Sequence, residues 1–183
     1  MGLLESLDRL DRAGFLAFAG QGGPEADALF TLTSSGWLAA LVWLGLALIQ
    51  RRPGALIPWI WLVVTMLAAF GAADVVASGL KDALGRPRPC WSLEGQFRPV
   101  AACKGAFGLV SGHAATTWAI FTIYIRSRPP RWAVALALMW ALAVSVSRVY
   151  LGVHYPGDVL AGAAVGASIS LLIVRIRPLT SHR

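Results

Sequence analysis

The stretch "ALIPWIWLVVTMLAAFGAADVVASGL", Ala55 to Leu80, decides the fold. It carries one charged residue, Asp74. It is also long enough to cross a bilayer as a helix, which takes about 20 apolar residues. Four further runs read the same way: Ala28–Ile49, Gly105–Ile125, Trp132–Ser147 and Gly157–Val174. Trp132–Ser147 is short; either it borrows the following "VYLGV" or it sits where the bilayer is thinner. The expected fold is all-α, a polytopic membrane helix bundle with about five transmembrane helices.

Composition agrees. Of 183 residues, 57% are hydrophobic and only 14% are charged, against about 25% charged in an average soluble domain. Mean hydropathy is +0.65. The eight tryptophans suit the membrane–water interface. We expect a single integral membrane domain over residues 1–183. The net charge of +7 does not point to nucleic acid. The arginines sit at the ends of apolar runs and form no stripe with interleaved aromatics.

The N-terminal segment "MGLLESLDRLDRAGFLAF" differs from the spans. Leu3, Leu4, Leu7 and Leu10 recur at helical spacing, with charged residues on the other face. This predicts an amphipathic helix lying in the interface. The segment lacks the basic start and small-residue cleavage site of a signal peptide.

Arginine placement predicts orientation. Arg51 and Arg52, then Arg126, Arg128 and Arg131, then Arg175, Arg177 and Arg183 follow the first, third and fifth runs. With five spans they share one side, the cytoplasm. The N-terminal segment, with Glu5, Asp8, Asp11, Glu25 and Asp27 against Arg9 and Arg12, fits the opposite side. The loop after the second run breaks the pattern. It places Lys81, Arg86, Arg88, Arg98 and Lys104 outside, so something other than topology keeps them. Gly162 and Gly166 form a G-x-x-x-G pair for close helix packing.

Three polar clusters reach that same outer face: "KDALGRPRP" (Lys81–Pro89), "VSGH" (Val110–His113) and "SRVYLGVHYPGD" (Ser147–Asp158). Lys81, Arg88 and Arg148 supply cations suited to phosphate oxygens. Ser111 and Gly112 stand near a helix N-terminus, whose free N–H groups bind anions. His154 precedes Asp158 by one helical turn. The aspartate can fix the imidazole tautomer and leave the other nitrogen free to attack. His113 can protonate a leaving oxygen and later activate water. Taken singly, each piece has a plainer reading. A histidine at a helix end, such as His182, is usually a satisfied polar residue. Lysine and arginine beside a membrane are usually anchors. Their joint occurrence on one face is far more specific.

The pattern Lys-x6-Arg-Pro, Ser-Gly-His, Ser-Arg-x5-His-x3-Asp resembles the type 2 phosphatidic acid phosphatase family. Its members are membrane lipid phosphatases, related to vanadium haloperoxidases and bacterial acid phosphatases. The resemblance spans Lys81 to Asp158. It implies that Lys81, Arg88 and Arg148 bind phosphate, with Ser111 and Gly112 completing the cradle. It implies that His113 is the general acid, that His154 is the nucleophile forming phosphohistidine, and that Asp158 orients it. It implies no metal and no other cofactor. Val110 stands where the family usually has proline. Many members have six spans, and here the N-terminal helix stands in for one.

Cys90 and Cys103 share the outer loop. They are either small apolar residues or a disulfide, which an oxidising compartment favours. Asp74 reads as a structural partner for Lys81 or another polar residue of the bundle.

The expected activity is hydrolysis of a lipid phosphate or pyrophosphate at the outer face of a bacterial inner membrane, with a cytoplasmic C-terminus. Undecaprenyl diphosphate is preferred, ahead of phosphatidylglycerol phosphate, phosphatidic acid and lipid A. A lipid phosphotransferase and a non-enzymatic lipid carrier are the alternatives. The expected partners are the lipid substrate and the bilayer, with no nucleic acid and no obligate protein.

Overall fold

The computed structural model describes residues 2–176. Arg177, His182 and Arg183 lie outside the described residues. Among the described residues, eight helices follow in order: α1 (Leu3–Phe18), α2 (Pro24–Thr33), α3 (Gly36–Ile49), α4 (Leu56–Leu84), α5 (Pro89–Ser92), α6 (Gly112–Arg126), α7 (Arg131–Tyr150) and α8 (Pro156–Ile176). The fold is an all-helical membrane bundle. The β-structure among the described residues is one isolated bridge, between Pro87 and Phe107.

Helix α6 is the axis of the bundle, with α4, α7 and α8 packed around it. Every residue from Ala114 to Tyr124 except Trp118 is buried. The neighbours present small residues to one another at four-residue spacing. Ala69, Ala73 and Ala77 of α4 are fully buried, as are Ala133, Ala137 and Ala141 of α7. On α8 the pair is Gly162 and Gly166. A Cβ at Gly162 would stand 2.5 Å from the Ser111 carbonyl oxygen, and one at Gly166 would run into the Ala115 carbonyl. Lipid removes the hydrophobic drive between helices, so close backbone approach and dispersion must hold them together.

The large apolar side chains point the other way. Leu67, Phe70 and Val75 of α4, Trp132 and Met139 of α7, and Leu160 and Leu172 of α8 are exposed. Only 28%, 39% and 28% of the most apolar windows of α4, α7 and α8 is buried within the protein. The remainder is the surface that a bilayer would cover.

Two groups of contacts define the ends of the bundle. At one end Trp59 Nε1 donates to the Ala47 carbonyl at 2.8 Å, and Gln50 donates to Ser127 Oγ. At the other end the C-termini of α4 and α7 meet the N-termini of α6 and α8. Thus α3, α4, α6, α7 and α8 alternate in direction.

The number of spans departs from expectation. Among the described residues three helices, α4, α7 and α8, are long and apolar enough to cross a membrane, or four if α2 and α3 count as one broken span. The first expected span is bent by 59° between α2 and α3. The break falls at Ser34 and Ser35, whose hydroxyls can bond backbone carbonyls in place of the helix ladder; Ser35 Oγ bonds the Leu32 carbonyl at 2.6 Å. The third expected span is helical only from Gly112, for 15 residues. That is about 22 Å of helix against about 30 Å of hydrocarbon. Wrapped by its neighbours, α6 is a core helix. The short fourth run does extend, reaching Tyr150.

The N-terminal helix forms as expected. Leu3 is 75% exposed and Leu10 69%. Its other side docks on α7 and α8. There Phe15 is buried edge-on against Phe97 and Tyr155.

The α6–α8 contact can be tested directly. Gly166→Leu should destabilise the bundle by about 1–3 kcal/mol through overpacking. Gly71→Ala, which meets nothing within 4 Å, should leave stability unchanged or slightly raised. Thermal melts in detergent decide between them.

Candidate active site

The polar end of the bundle is built by local rules. Helix α4 stops at Gly85, which adopts φ 61° and caps the Lys81 carbonyl. Arg86-Pro87-Arg88-Pro89 follows. A residue before proline is pushed out of the helical region, so this segment is extended. It pairs with residues 106–108: Gly108 N donates to the Arg86 carbonyl at 2.8 Å, and Arg88 N to the Ala106 carbonyl at 3.0 Å. Residues two apart in an extended chain face the same way. Arg86 and Arg88 therefore both reach towards the start of α8.

Arg88 Nη1 contacts the Val153 carbonyl at 3.1 Å and His154 Nε2 at 3.2 Å. Ser111 caps α6, and its N–H donates to the Asp158 carbonyl at 3.0 Å. Gly112 lets Lys81 in close, since a Cβ there would lie 3.2 Å from Lys81 Nζ and 3.8 Å from Asp74 Oδ1. Asp74 and Lys81 thus converge on this turn, and their charges act on one another. Arg148, in the last turn of α7, donates to Ser34 Oγ at the α2–α3 break. His113 is exposed on the first turn of α6, within electrostatic reach of Arg148, His154 and Lys81. All eight residues singled out from the sequence meet at this one end.

His154 sits in the turn between α7 and α8 and is 2% exposed; Asp158 is wholly buried. Asp158 Oδ2 accepts from Tyr155 N at 3.0 Å and lies 3.6 Å from His154 Nδ1. Arginine has donors only. Its contact with Nε2 therefore requires that nitrogen to carry a lone pair, which places the imidazole proton on Nδ1, facing the carboxylate. Burial holds the His154 pKa well below its ordinary 6.5, at about 4; Asp158 opposes this, and Arg88 and Arg148 add to it. The resting imidazole is neutral.

Arg88 Nε, Arg148 Nε, Ser111 Oγ and His154 Nδ1 are buried without a hydrogen-bond partner. Buried donors without partners are rare and costly. Guanidinium groups and a helix N-terminus are the donor types that suit a tetrahedral anion.

Three features of this end were missing from the sequence reading. Arg86, there only a basic loop residue, bonds Asp158 Oδ1 at 2.8 Å. Ser34 touches Arg148. Asp11 of α1 accepts from Gly157 N at 2.7 Å. The alternation Arg-Pro-Arg-Pro was the available signal for the first. The loop itself is tied down. Cys90 and Cys103 form a disulfide with Cα atoms 6.1 Å apart. Arg98 bonds the Gly20 and Gly22 carbonyls and both oxygens of Asp27.

A membrane bundle with two histidines, three cations and a buried aspartate gathered at one end defines a class of membrane protein, and comparison identifies the class. The model of the PAP2 superfamily matches residues 59–181. The chain belongs to that superfamily. It is 47% identical over 115 residues to an undecaprenyl-diphosphatase of Sulfolobus acidocaldarius, covering 62% of this chain and 54% of that protein. It is 32% identical over 114 residues to a lipid A 4'-phosphatase of Bacteroides thetaiotaomicron, covering 58% and 49% respectively. The chain thus spans about half the length of the curated relatives it matches. The crystal structure of a PAP2-type phosphatidylglycerolphosphate phosphatase from Bacillus subtilis superposes with a TM-score of 0.69 at 23% identity, covering 100% of this chain and 90% of that one. That likeness is one of fold.

The buried neutral His154 predicts a pH dependence. The unfolded chain binds a proton near pH 6.5 and the folded one only near 4. Between these values the unfolded state holds more protons, so stability should fall as pH falls through this window. Melting curves of the wild type and His154→Gln between pH 7.5 and 4.5 test this; the variant should lose less stability on acidification.

Proposed function

We propose that this chain is a lipid phosphatase in which His154 is the nucleophile. Lys81, Arg88 and Arg148 hold the phosphoryl oxygens, with Ser111 and the N-terminus of α6 completing the cradle. His154 Nε2 forms a bond to phosphorus as the bond from phosphorus to the lipid oxygen breaks. His113 gives that oxygen its proton. His113 then takes a proton from water, whose oxygen attacks the phosphohistidine and releases inorganic phosphate. Asp158 stabilises the imidazolium formed on the way. No step calls for a metal. The observation that supports this reading is the Arg88 contact that leaves His154 Nε2 its lone pair, with the buried Nε atoms of Arg88 and Arg148 and the Ser111 hydroxyl left without partners at the same end of the bundle.

Residues 1–183 act in this reading as a single phosphatase domain in a bacterial inner membrane. The site faces outward. Arg51, Arg52, Arg126, Arg128, Arg131 and Arg175 lie at or near the helix ends opposite it, which suits the positive-inside rule. The Cys90–Cys103 bridge lies in the loop on the site side, which suits an oxidising compartment. The preferred substrate is undecaprenyl diphosphate, cleaved to the monophosphate and inorganic phosphate. The relative bearing that activity in its name, at 47% identity, supports this choice. Lipid A follows, through the relative named as its 4'-phosphatase.

Phosphate release from undecaprenyl diphosphate, phosphatidylglycerol phosphate, phosphatidic acid and lipid A, assayed in detergent, ranks the substrates. His154→Ala should fall by roughly 10⁴-fold or more, to background. Asp158→Asn should lower turnover and leave KM nearly unchanged. His113→Ala should slow a poor lipid leaving group more than nitrophenol. EDTA should have no effect. Near-normal activity in His154→Ala, or a requirement for a divalent metal, would overturn the mechanism.

Orientation has its own test. A reporter inserted beside Glu94 should read outside the cytoplasm, and one fused after Arg183 should read inside. The reverse would place the site on the inner face and overturn the outward orientation.

A further inference from the structure

Arg86 stands at the centre of a network that the catalytic steps above leave unused. Its Nη1 donates to Asp158 Oδ1 at 2.8 Å. Its Nη2 donates to Asp11 Oδ2 at 2.7 Å and to Asp8 Oδ1 at 3.2 Å. Its guanidinium lies 4.3 Å from the centre of the Tyr155 ring. Tyr155 is fixed in turn by Ser92, hydroxyl to hydroxyl at 2.8 Å. The bond from Gly157 N to Asp11 Oδ1 closes the circuit on the first turn of α8.

The surrounding backbone is shaped around these contacts. A Cβ at Gly157 would come within 2.8 Å of Asp11 Oδ2, and one at Gly108 within 2.8 Å of Asp158 Oδ2. Both positions therefore require glycine if the two carboxylates are to sit where they do. Asp8 and Asp11 belong to α1, which otherwise touches the bundle through Phe15 and its neighbours. A helix needing only apolar docking would not require two carboxylates aimed at a partly buried arginine.

We propose that Arg86, held by Asp11 and Asp8 of the N-terminal helix, is a positioning residue for the nucleophile: it locks the Asp158 carboxylate in the orientation that faces His154 Nδ1. The inference rests on the reading of His154 as the nucleophile. The charged and titratable groups facing Asp158 are Arg86 from the extended segment, Arg88 beside it, His154 from the turn and, through Arg86, Asp8 and Asp11 from α1. Asp158 Oδ1 is engaged by Arg86 and Oδ2 by Tyr155 N. Losing Arg86 frees one oxygen and leaves a buried charge unpaired. The carboxylate then rotates or takes up a proton, and the Nδ1 proton loses its acceptor. Phosphate binding, which uses Lys81, Arg88, Arg148 and Ser111, is untouched. Arg86 and Arg88, two residues apart, thus divide the work: one holds the aspartate and the other faces the histidine.

The experiment is single-turnover trapping of phosphoenzyme from labelled short-chain phosphatidic acid, with vanadate affinity measured on the same preparations. Wild type and His154→Ala run alongside Arg86→Gln, Arg86→Lys, Asp11→Asn and the Arg86→Gln/Asp11→Asn pair. Arg86→Gln should form phosphoenzyme on the order of 100-fold more slowly, short of the roughly 10⁴-fold lost when a triad aspartate is itself neutralised in a serine protease. Its vanadate affinity should stay within about threefold. The slowing should be equal for phosphatidic acid and nitrophenyl phosphate, because it acts on the attack. Arg86→Lys should recover part of the rate. Asp11→Asn should slow the same step, and the double variant should be no slower than Arg86→Gln alone, since the two residues act in series. A wild-type rate in Arg86→Gln, additive losses in the double variant, or loss of vanadate binding together with the rate would each overturn the positioning role. Absence of a trapped phosphoenzyme in a wild type that releases phosphate from the same labelled lipid would instead remove the nucleophile assignment, and this inference with it.

Discussion

A single buried carboxylate organises the polar end of this protein. Asp158 has no exposure to solvent. An ion withdrawn from water in this way costs several kcal/mol unless fully paired. The surroundings meet that demand at every polar atom of the residue. Its carbonyl receives Ser111 N, one carboxylate oxygen receives Arg86, and the other receives Tyr155 N and faces His154. The start of α6, the extended arginine segment, the turn before α8 and the N-terminal helix are thereby assembled around one group. The proposed phosphate cradle and the proposed nucleophile are parts of the same solution to a solvation problem.

The bilayer explains the remainder of the architecture. A soluble protein turns its large apolar side chains inward, and this one turns them outward. Alanine and glycine recur where α4, α7 and α8 close on α6, beside larger core residues such as Leu62, Met66 and Ile120. That closeness has a consequence for the site. Gly162 brings α8 against the Ser111 carbonyl, and Ser111 is the N-cap residue of α6. A mutation in a bundle contact one turn away would move the start of α6.

Much of this was legible in the chain. Apolar runs marked α3, α4, α7 and α8, and three short motifs placed eight candidate residues at one end. The misses have physical reasons. Residues 105–111 are as apolar as a span, and composition alone does not reveal that they form a loop feeding Ser111 to the site. The run from Ala28 to Ile49 reads as continuous because Ser34 and Ser35 are tolerated in membrane helices; the bend appears only when their hydroxyls are seen bonded elsewhere. Arg86 looked like a stray cation because its partners, Asp8, Asp11 and Asp158, lie up to 78 positions away. Local pattern reports which face a residue occupies. It does not report which distant charge will meet it there.

The central claim is that phosphorus is attacked by His154 Nε2 inside a cradle of Arg88, Arg148, Lys81 and the N-terminus of α6. The most direct measurement is an experimental structure of the protein with vanadate. Vanadium should be bonded to His154 Nε2 in a trigonal-bipyramidal arrangement, with its equatorial oxygens on the two arginines and Ser111. Vanadate seated away from His154, or bonded through a different side chain, would contradict it.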